Sequence, residues 1–143
     1  MNGQVPVDHR PPLNPARDTT PVLIRCHRLD LDGPDSDSGP GPDLDPDPGR
    51  DPATLAVDLA LLDPWEQRRA GALRFPRDRR RFIAAHAGLR RLLGSHLDLP
   101  PATLPLTRSS TGKPSLNLPG PPCHFSLTHS GGSGWLAIAS VPV

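Results

Sequence analysis

The stretch "DLDGPDSDSGPGPDLDPDPGRDP", Asp30 to Pro52, sets the first limit on what this chain can fold into. It holds eight Asp, six Pro and four Gly among twenty-three positions. Fixing each residue costs about 1–2 kcal/mol of backbone entropy, and a segment this poor in apolar side chains has nothing to offset that cost. Residues 32–53 are therefore expected to be a disordered insert. Residues 1–20, "MNGQVPVDHRPPLNPARDTT", carry four prolines and no periodic apolar pattern, so a disordered tail is expected there too. What remains of the 143 residues suffices for a single domain, expected over residues 21–143 around the insert.

Nothing in the sequence approaches the run of about 18 apolar residues that a membrane span needs, and the start of the chain lacks the hydrophobic run of a secretory signal. Membrane partners are not expected. The two cysteines, Cys26 and Cys123, have no CxxC spacing. Reduced thiols in a cytoplasm follow, with a packing role for both.

Charge is segregated along the chain. The formal net charge is +1, yet nine of the sixteen basic residues lie between Arg68 and Arg91, and only two acids, Glu66 and Asp78, lie between Glu66 and Arg91. Solvated helix faces are the ordinary explanation for such a run. Against it, few i,i+4 partners are available to neutralise the arginines, and an anionic ligand would relieve their repulsion. Nucleic acid is disfavoured as that ligand, because stacking aromatics are scarce, with three Phe, two Trp and no Tyr, and no helix-turn-helix or zinc module is present.

Periodicity supplies the elements. "VLIRCHRLDL", Val22 to Leu31, reads as a strand. A short apolar helix or turn precedes Asp63. Asp63, Pro64 and Glu66 form a capping box that predicts a helix from Pro64 to about Arg74. "PRDRRRFIAAHAGLRRLLGSHLDLP" is the longest expected helix, with Phe82, Ala85, His86, Leu89, Leu92, Leu93 and Leu97 on one stripe and Arg79, Arg80, Arg90 and Arg91 elsewhere around the cylinder. Pro100 and Pro101 end it. A short strand in "ATLPLTRS", a turn in "STGKP" and strands in "HFSLTH" and "GWLAIAS" follow. The expected fold is α+β, a small mainly antiparallel sheet packed on one long helix.

Two motifs carry candidate chemistry. In "FSLTHSGG" the alternation puts Phe125, Leu127 and His129 on one side of a strand, so His129 continues an apolar face to the strand's end. Thr128 and Ser130 flank it with hydroxyls, and the glycines allow close backbone approach, a combination suited to anionic oxygens. A strand end with a locally satisfied histidine is the plain alternative. Metal binding with His124 is disfavoured, since the two rings fall on opposite faces, and no G-x-S-x-G elbow supports a Ser–His nucleophile. In "TGKP", Gly112 and Pro114 fix a turn that holds Lys113, the only lysine in the chain, as a point charge suited to phosphate. The P-loop spacing is absent.

Taken in order, "LDPWEQRRAGALRFPRDRRRFIAAHAGLRRLLGSHL", "GKP" and "HFSLTHS" resemble the 4′-phosphopantetheinyl transferases of the surfactin-synthetase-activating type. The resemblance spans roughly Val22 to Val143, apart from the acidic insert. It implies transfer of the phosphopantetheine arm of coenzyme A to a carrier-protein serine, in a pseudo-twofold α+β fold whose two halves hold coenzyme A between them. This chain would be the N-terminal half.

By the same resemblance Arg69 matches a basic position that pairs with the 3′-phosphate. Gly112, Lys113 and Pro114 match the loop beside adenine and phosphates, and Thr128 and His129 match a Ser-His pair on the phosphates. Glu66 stands where some relatives carry a second basic contact, Thr128 replaces Ser and Ser126 replaces Asn. The family holds magnesium with carboxylates that follow the last strand. No acidic residue follows Asp98 here, so no catalytic residue or metal ligand is expected within these residues, and little activity is expected from the chain alone. A non-catalytic module binding coenzyme A or a carrier protein is the second reading, and a small basic nucleic-acid binder the third.

Overall fold

A computed structural model describes residues 23–33 and 50–141. The tail expected over 1–20, and residues 34–49 of the expected insert, lie outside the described residues.

The chain is α+β, with the expected long helix laid across a small antiparallel sheet. Strand β1 spans Ile24–Asp30. Three helices follow, α1 over Pro52–Leu61, α2 over Pro64–Gly71 and α3 over Pro76–Leu97. A 3-10 turn at Pro101–Thr103 leads to β2, Leu106–Arg108, β3, Pro114–Leu116, β4, His124–Ser130, and β5, Ser133–Ala139. The larger sheet has the order β1-β5-β4 with every pair antiparallel, and β2 and β3 form a separate hairpin.

Local chemistry explains most element ends. Asp51 caps α1 by accepting the Thr54 N–H at 3.0 Å, with Pro52 in the first turn. The capping box of α2 is complete, Asp63 accepting the Glu66 N–H at 2.8 Å and Glu66 accepting the Asp63 N–H at 2.8 Å. α2 stops at Gly71 rather than near Arg74, and Phe75 is extended ahead of Pro76. α3 ends in a left-handed residue, Asp98 (φ 55°), before Pro100 is reached. Its N–H and that of Leu99 both reach the Gly94 carbonyl. The insert is narrower than its composition suggests: Asp32, Gly33 and Arg50 through Ala53 belong to the fold. The short apolar segment before Asp63, expected as a helix or turn, is the helix α1, and an additional strand, β3, was not resolved by the sequence pattern.

α3 is buried over a wider arc than one stripe. Leu89 and Leu93 meet Phe125, Leu136 and Ile138 of the sheet. Round the cylinder, Ile83 and Ala87 meet Leu62 and Ala70 of the α1–α2 layer. Between them Ala84 and Ala85 pack on Leu31. Phe82, His86, Leu92 and Leu97 of the expected stripe are half-buried. The far face of the sheet is uncovered by the described residues, and Trp135 at its centre is 51% exposed between Arg28 and Thr128. Cys123 packs against the core, whereas Cys26 is exposed, contrary to the packing role expected for it.

Arg90 overturns its expected surface placement. It is fully buried, and its guanidinium donates to Glu66 at 2.8 Å, to Asp63 at 2.9 Å and to the Pro101 carbonyl at 3.2 Å. Glu66, equally buried, also meets His86 Nδ1 at 2.9 Å, and Arg108 donates to Asp63 at 2.9 Å while stacking 4.2 Å over Trp65. A second buried carboxylate, Asp58, takes Arg50 and Arg91 at 2.6 Å each. Arg81 holds Asp32 through two bonds of 2.6 and 2.7 Å. Three of the nine arginines between Arg68 and Arg91 are thus neutralised by acids distant in sequence, so ligand binding is not required to relieve the repulsion of Arg81, Arg90 and Arg91.

Burial by itself raises the Glu66 carboxyl. Hydrogen bonds from His86 and from the Asp63 N–H, with the Arg90 charge, outweigh it and hold the group below the ordinary carboxylate range. Asp63 is also lowered, with burial again opposed by the Glu66 N–H and by Arg108 and Arg90. Both depressed groups contribute stability that is present above their unfolded values of 4.5 and 3.8 and is lost as pH falls through the folded values. Two outcomes are expected in denaturant titrations. Arg90→Ala, which strands a buried carboxylate, costs about 3–5 kcal/mol at neutral pH. Stability falls as the pH drops below 4.5, and Glu66→Gln flattens that fall; an unchanged slope in Glu66→Gln would contradict the assignment.

Candidate functional site

The β4–β5 hairpin presents Thr128, His129 and Ser130, all exposed, opposite Trp135, Gly134 and Ser133. Leu127 packs toward Leu31, Ala84 and Ala85 on the helix side of the sheet. Two residues further on, His129 emerges on that same face beyond the core. The turn needs Gly131 in the left-handed region (φ 56°). Gly132 has a different reason: a Cβ there would stand 2.0 Å from the Asp32 carboxylate. Asp32 thus sits against the hairpin, the Leu31 N–H donates to the Gly132 carbonyl at 2.8 Å, and Asp32 in turn grips Arg81.

That chain of contacts fastens the hairpin to the first turns of α3. Arg77 lies one helical turn before Arg81, about 6 Å along the axis. Arg77 and Arg79 are exposed and make no ion pair with the described residues. The hydroxyl–imidazole–hydroxyl triplet and the basic start of α3 therefore share one end of the molecule. This end can accept an anion from two directions, with cations on the helix and hydroxyl and imidazole groups on the hairpin.

Arg69 projects from the last turn of α2, exposed, while its neighbour Ala70 is buried against Ile83 and Ala87. No contact within the described residues fixes its guanidinium. Lys113 stands elsewhere again. Gly112 (φ 81°) turns the β2–β3 connection, the Ser109 N–H donates to the Lys113 carbonyl at 3.0 Å, and the Lys113 N–H donates to Ser109 Oγ at 3.2 Å. Pro114 then opens β3 opposite Arg108. Lys113 borders a cavity of about 530 Å³ together with Ser109, Leu118, Cys123, His124 and Phe125. Burial pushes the Cys123 thiol up, so it is a poor nucleophile at neutral pH.

The candidates thus occupy three places. Gly112, Lys113 and Pro114 form one turn, and Thr128 and His129 sit together on the hairpin; neither of these two, nor Arg69, lines the Lys113 cavity. His124, which does, is five residues along β4 from His129, roughly 17 Å by strand rise. Sequence reasoning missed His124 and Cys123 as neighbours of Lys113, and it missed Arg81 as the anchor of the hairpin. An aspartate two residues past the first strand, with glycine flanking the later turn, was the available signal. Glu66, aligned by resemblance with a basic phosphate contact, is a buried partner of Arg90 and faces no open space.

The described residues do not fit magnesium. Asp32, Asp58, Asp63 and Glu66 are each bonded by arginine, and among the described residues no group of three or more His, Cys, Asp or Glu is placed to hold a metal ion. No described helix is long and apolar enough to cross a membrane. Comparison with protein-family models finds no match, and comparison with curated proteins finds none either.

Asp32→Ala tests the fastening of the hairpin. Loss of the two charged hydrogen bonds is expected to cost about 1–2 kcal/mol and to speed amide exchange selectively at Ser130–Gly134. Unaltered exchange there would show that the hairpin holds its place without Arg81.

Proposed function

We propose that this chain binds coenzyme A through its phosphates, as the N-terminal half of a 4′-phosphopantetheinyl transferase that loads a carrier-protein serine. The observation that supports this reading is the fastening of Thr128–His129–Ser130 to the start of α3 by the Asp32–Arg81 pair. It sets hydroxyl and imidazole donors beside exposed arginines, which suits a compact polyphosphate more than a broad polyanion. Arg69 would meet a peripheral phosphate. Lys113, at its own cavity, would meet a separate part of the same extended ligand.

The transfer step needs charge neutralisation on the leaving bisphosphate and a base for the serine hydroxyl. No carboxylate of the buried clusters is free for either task, because each is committed to arginine. The reaction is therefore assigned to groups other than these buried carboxylates. That same commitment favours, as second reading, a module that binds coenzyme A or a carrier protein without turnover.

Calorimetric titration of the chain with coenzyme A and with dephospho-coenzyme A tests the proposal. His129→Ala is expected to weaken both ligands about tenfold. Arg69→Ala should abolish the preference between them. Lys113→Ala should weaken coenzyme A if the ligand reaches the cavity. Absence of binding, or binding indifferent to His129→Ala, would sink the reading. Binding of an oligonucleotide with steep salt dependence and no response to coenzyme A would point to nucleic acid instead. A mass increase on an apo carrier protein would show turnover by the chain itself.

A further inference from the structure

The opposite edge of the sheet carries a second groove. Among the described residues β1 is hydrogen bonded to β5 alone, so one edge of its backbone faces no strand. Beside that edge lies a groove of about 550 Å³ between β1 and α3, floored by Leu29, Ala84, Gly88 and Leu92. Gly88 shapes it, since a Cβ there would stand 2.8 Å from Leu29 Cδ2 and force β1 away from the helix.

Three arginines border the groove: Arg28, Arg50 and Arg91. Arg50 and Arg91 share one buried carboxylate, Asp58, at 2.6 Å each, which fixes both guanidinium groups and leaves one positive charge uncompensated between them. Arg50 also donates to the Asp30 carbonyl at 3.1 Å, while its Nε is buried with no partner among the described residues. Asp30, the acid at the rim, turns its carboxylate onto the N–H groups of Asp32 and Gly33 at 3.2 Å. A backbone edge unpaired among the described residues, an apolar floor and fixed cations thus coincide.

We infer that this groove binds an extended acidic segment of a partner protein, which adds to β1 as a further strand. Side chains of an added strand alternate between two faces. On the helix side they meet the apolar floor and the Arg50–Arg91 pair, and on the other side they meet Arg28, which is held to Ser133 at 3.3 Å. Backbone hydrogen bonds supply affinity and the arginines select acidic residues. A second copy of the chain is a poor occupant, because its own β1 carries Arg25, His27 and Arg28 and would set like charges across the seam. Neither Lys113 nor Thr128 and His129 line this groove, so peptide binding and coenzyme A binding are separable.

The test uses the full chain and a fluorescently labelled peptide in which Glu alternates with Val and Thr. Saturable binding by fluorescence polarisation is expected, with the amides of Cys26 to Arg28 becoming protected from exchange. N-methylation of alternate peptide nitrogens along one edge should weaken binding at least about tenfold, while methylation along the other edge should not. Arg28→Ala, an exposed position, should weaken it about threefold to tenfold and leave the fold intact. Equal binding of both N-methylated peptides would overturn the proposal. So would insensitivity to Arg28→Ala combined with loss in Arg77→Ala, which would mark diffuse attraction to the start of α3. Displacement of the peptide by an oligonucleotide, with no protection of the β1 amides, would overturn it in favour of nucleic acid.

Discussion

The buried pair of Glu66 and Arg90 is the contact on which the arrangement of elements depends. Each charge taken alone into the interior would be prohibitively costly, so each requires the other and requires every remaining polar atom to find a partner. Those partners come from four places: the cap of α2, His86 of α3, Arg108 of β2 and the Pro101 carbonyl. One ion pair therefore ties the helical layer to the β2–β3 hairpin and to the segment that joins them. Apolar packing of Leu89 and Leu93 on the sheet supplies the bulk of the cohesion, while the ion pair specifies which side of α3 faces α2.

Asp58 with Arg50 and Arg91, and Asp32 with Arg81, repeat the pattern at a smaller scale. In each, a carboxylate from one side of the acidic segment meets arginine from another element or from the far flank. The uneven charge distribution seen along the chain is thereby folded inward in part, at three points. Of the arginines left exposed, Arg68, Arg69, Arg74, Arg77 and Arg79 lie along the end of α2 and the start of α3, while Arg25 and Arg28 lie on β1.

Legibility in the sequence followed distance along the chain. The Asp63–Pro64–Glu66 cap and the turn at Gly112–Pro114 were readable because each is decided within a few residues. The long helix was readable from its apolar spacing. Burial of Arg90 was not, because an arginine reads as surface unless its partner is known, and Glu66 lies 24 residues away. The same holds for Arg81 and Asp32, 49 residues apart, whose pairing positions the hairpin. Asp58 inside "LAVDLALL" drew no notice in the sequence, and its burial depends on Arg50 and on Arg91, 33 residues away. The candidate site was legible as residue types, His129 between hydroxyls and Lys113 in a rigid turn, but their separation depends on strand register and hairpin placement.

The arginines that hold this fold do so through planar, forked donors that a single ammonium cannot reproduce. The chain accordingly keeps a single side-chain amine, that of Lys113, outside every one of these networks and at the mouth of a cavity. Among side chains, acylating reagents that modify amines would thus report on one position only. A label attached there leaves the charge framework of the interior untouched and looks directly into the space between the hairpin and the sheet.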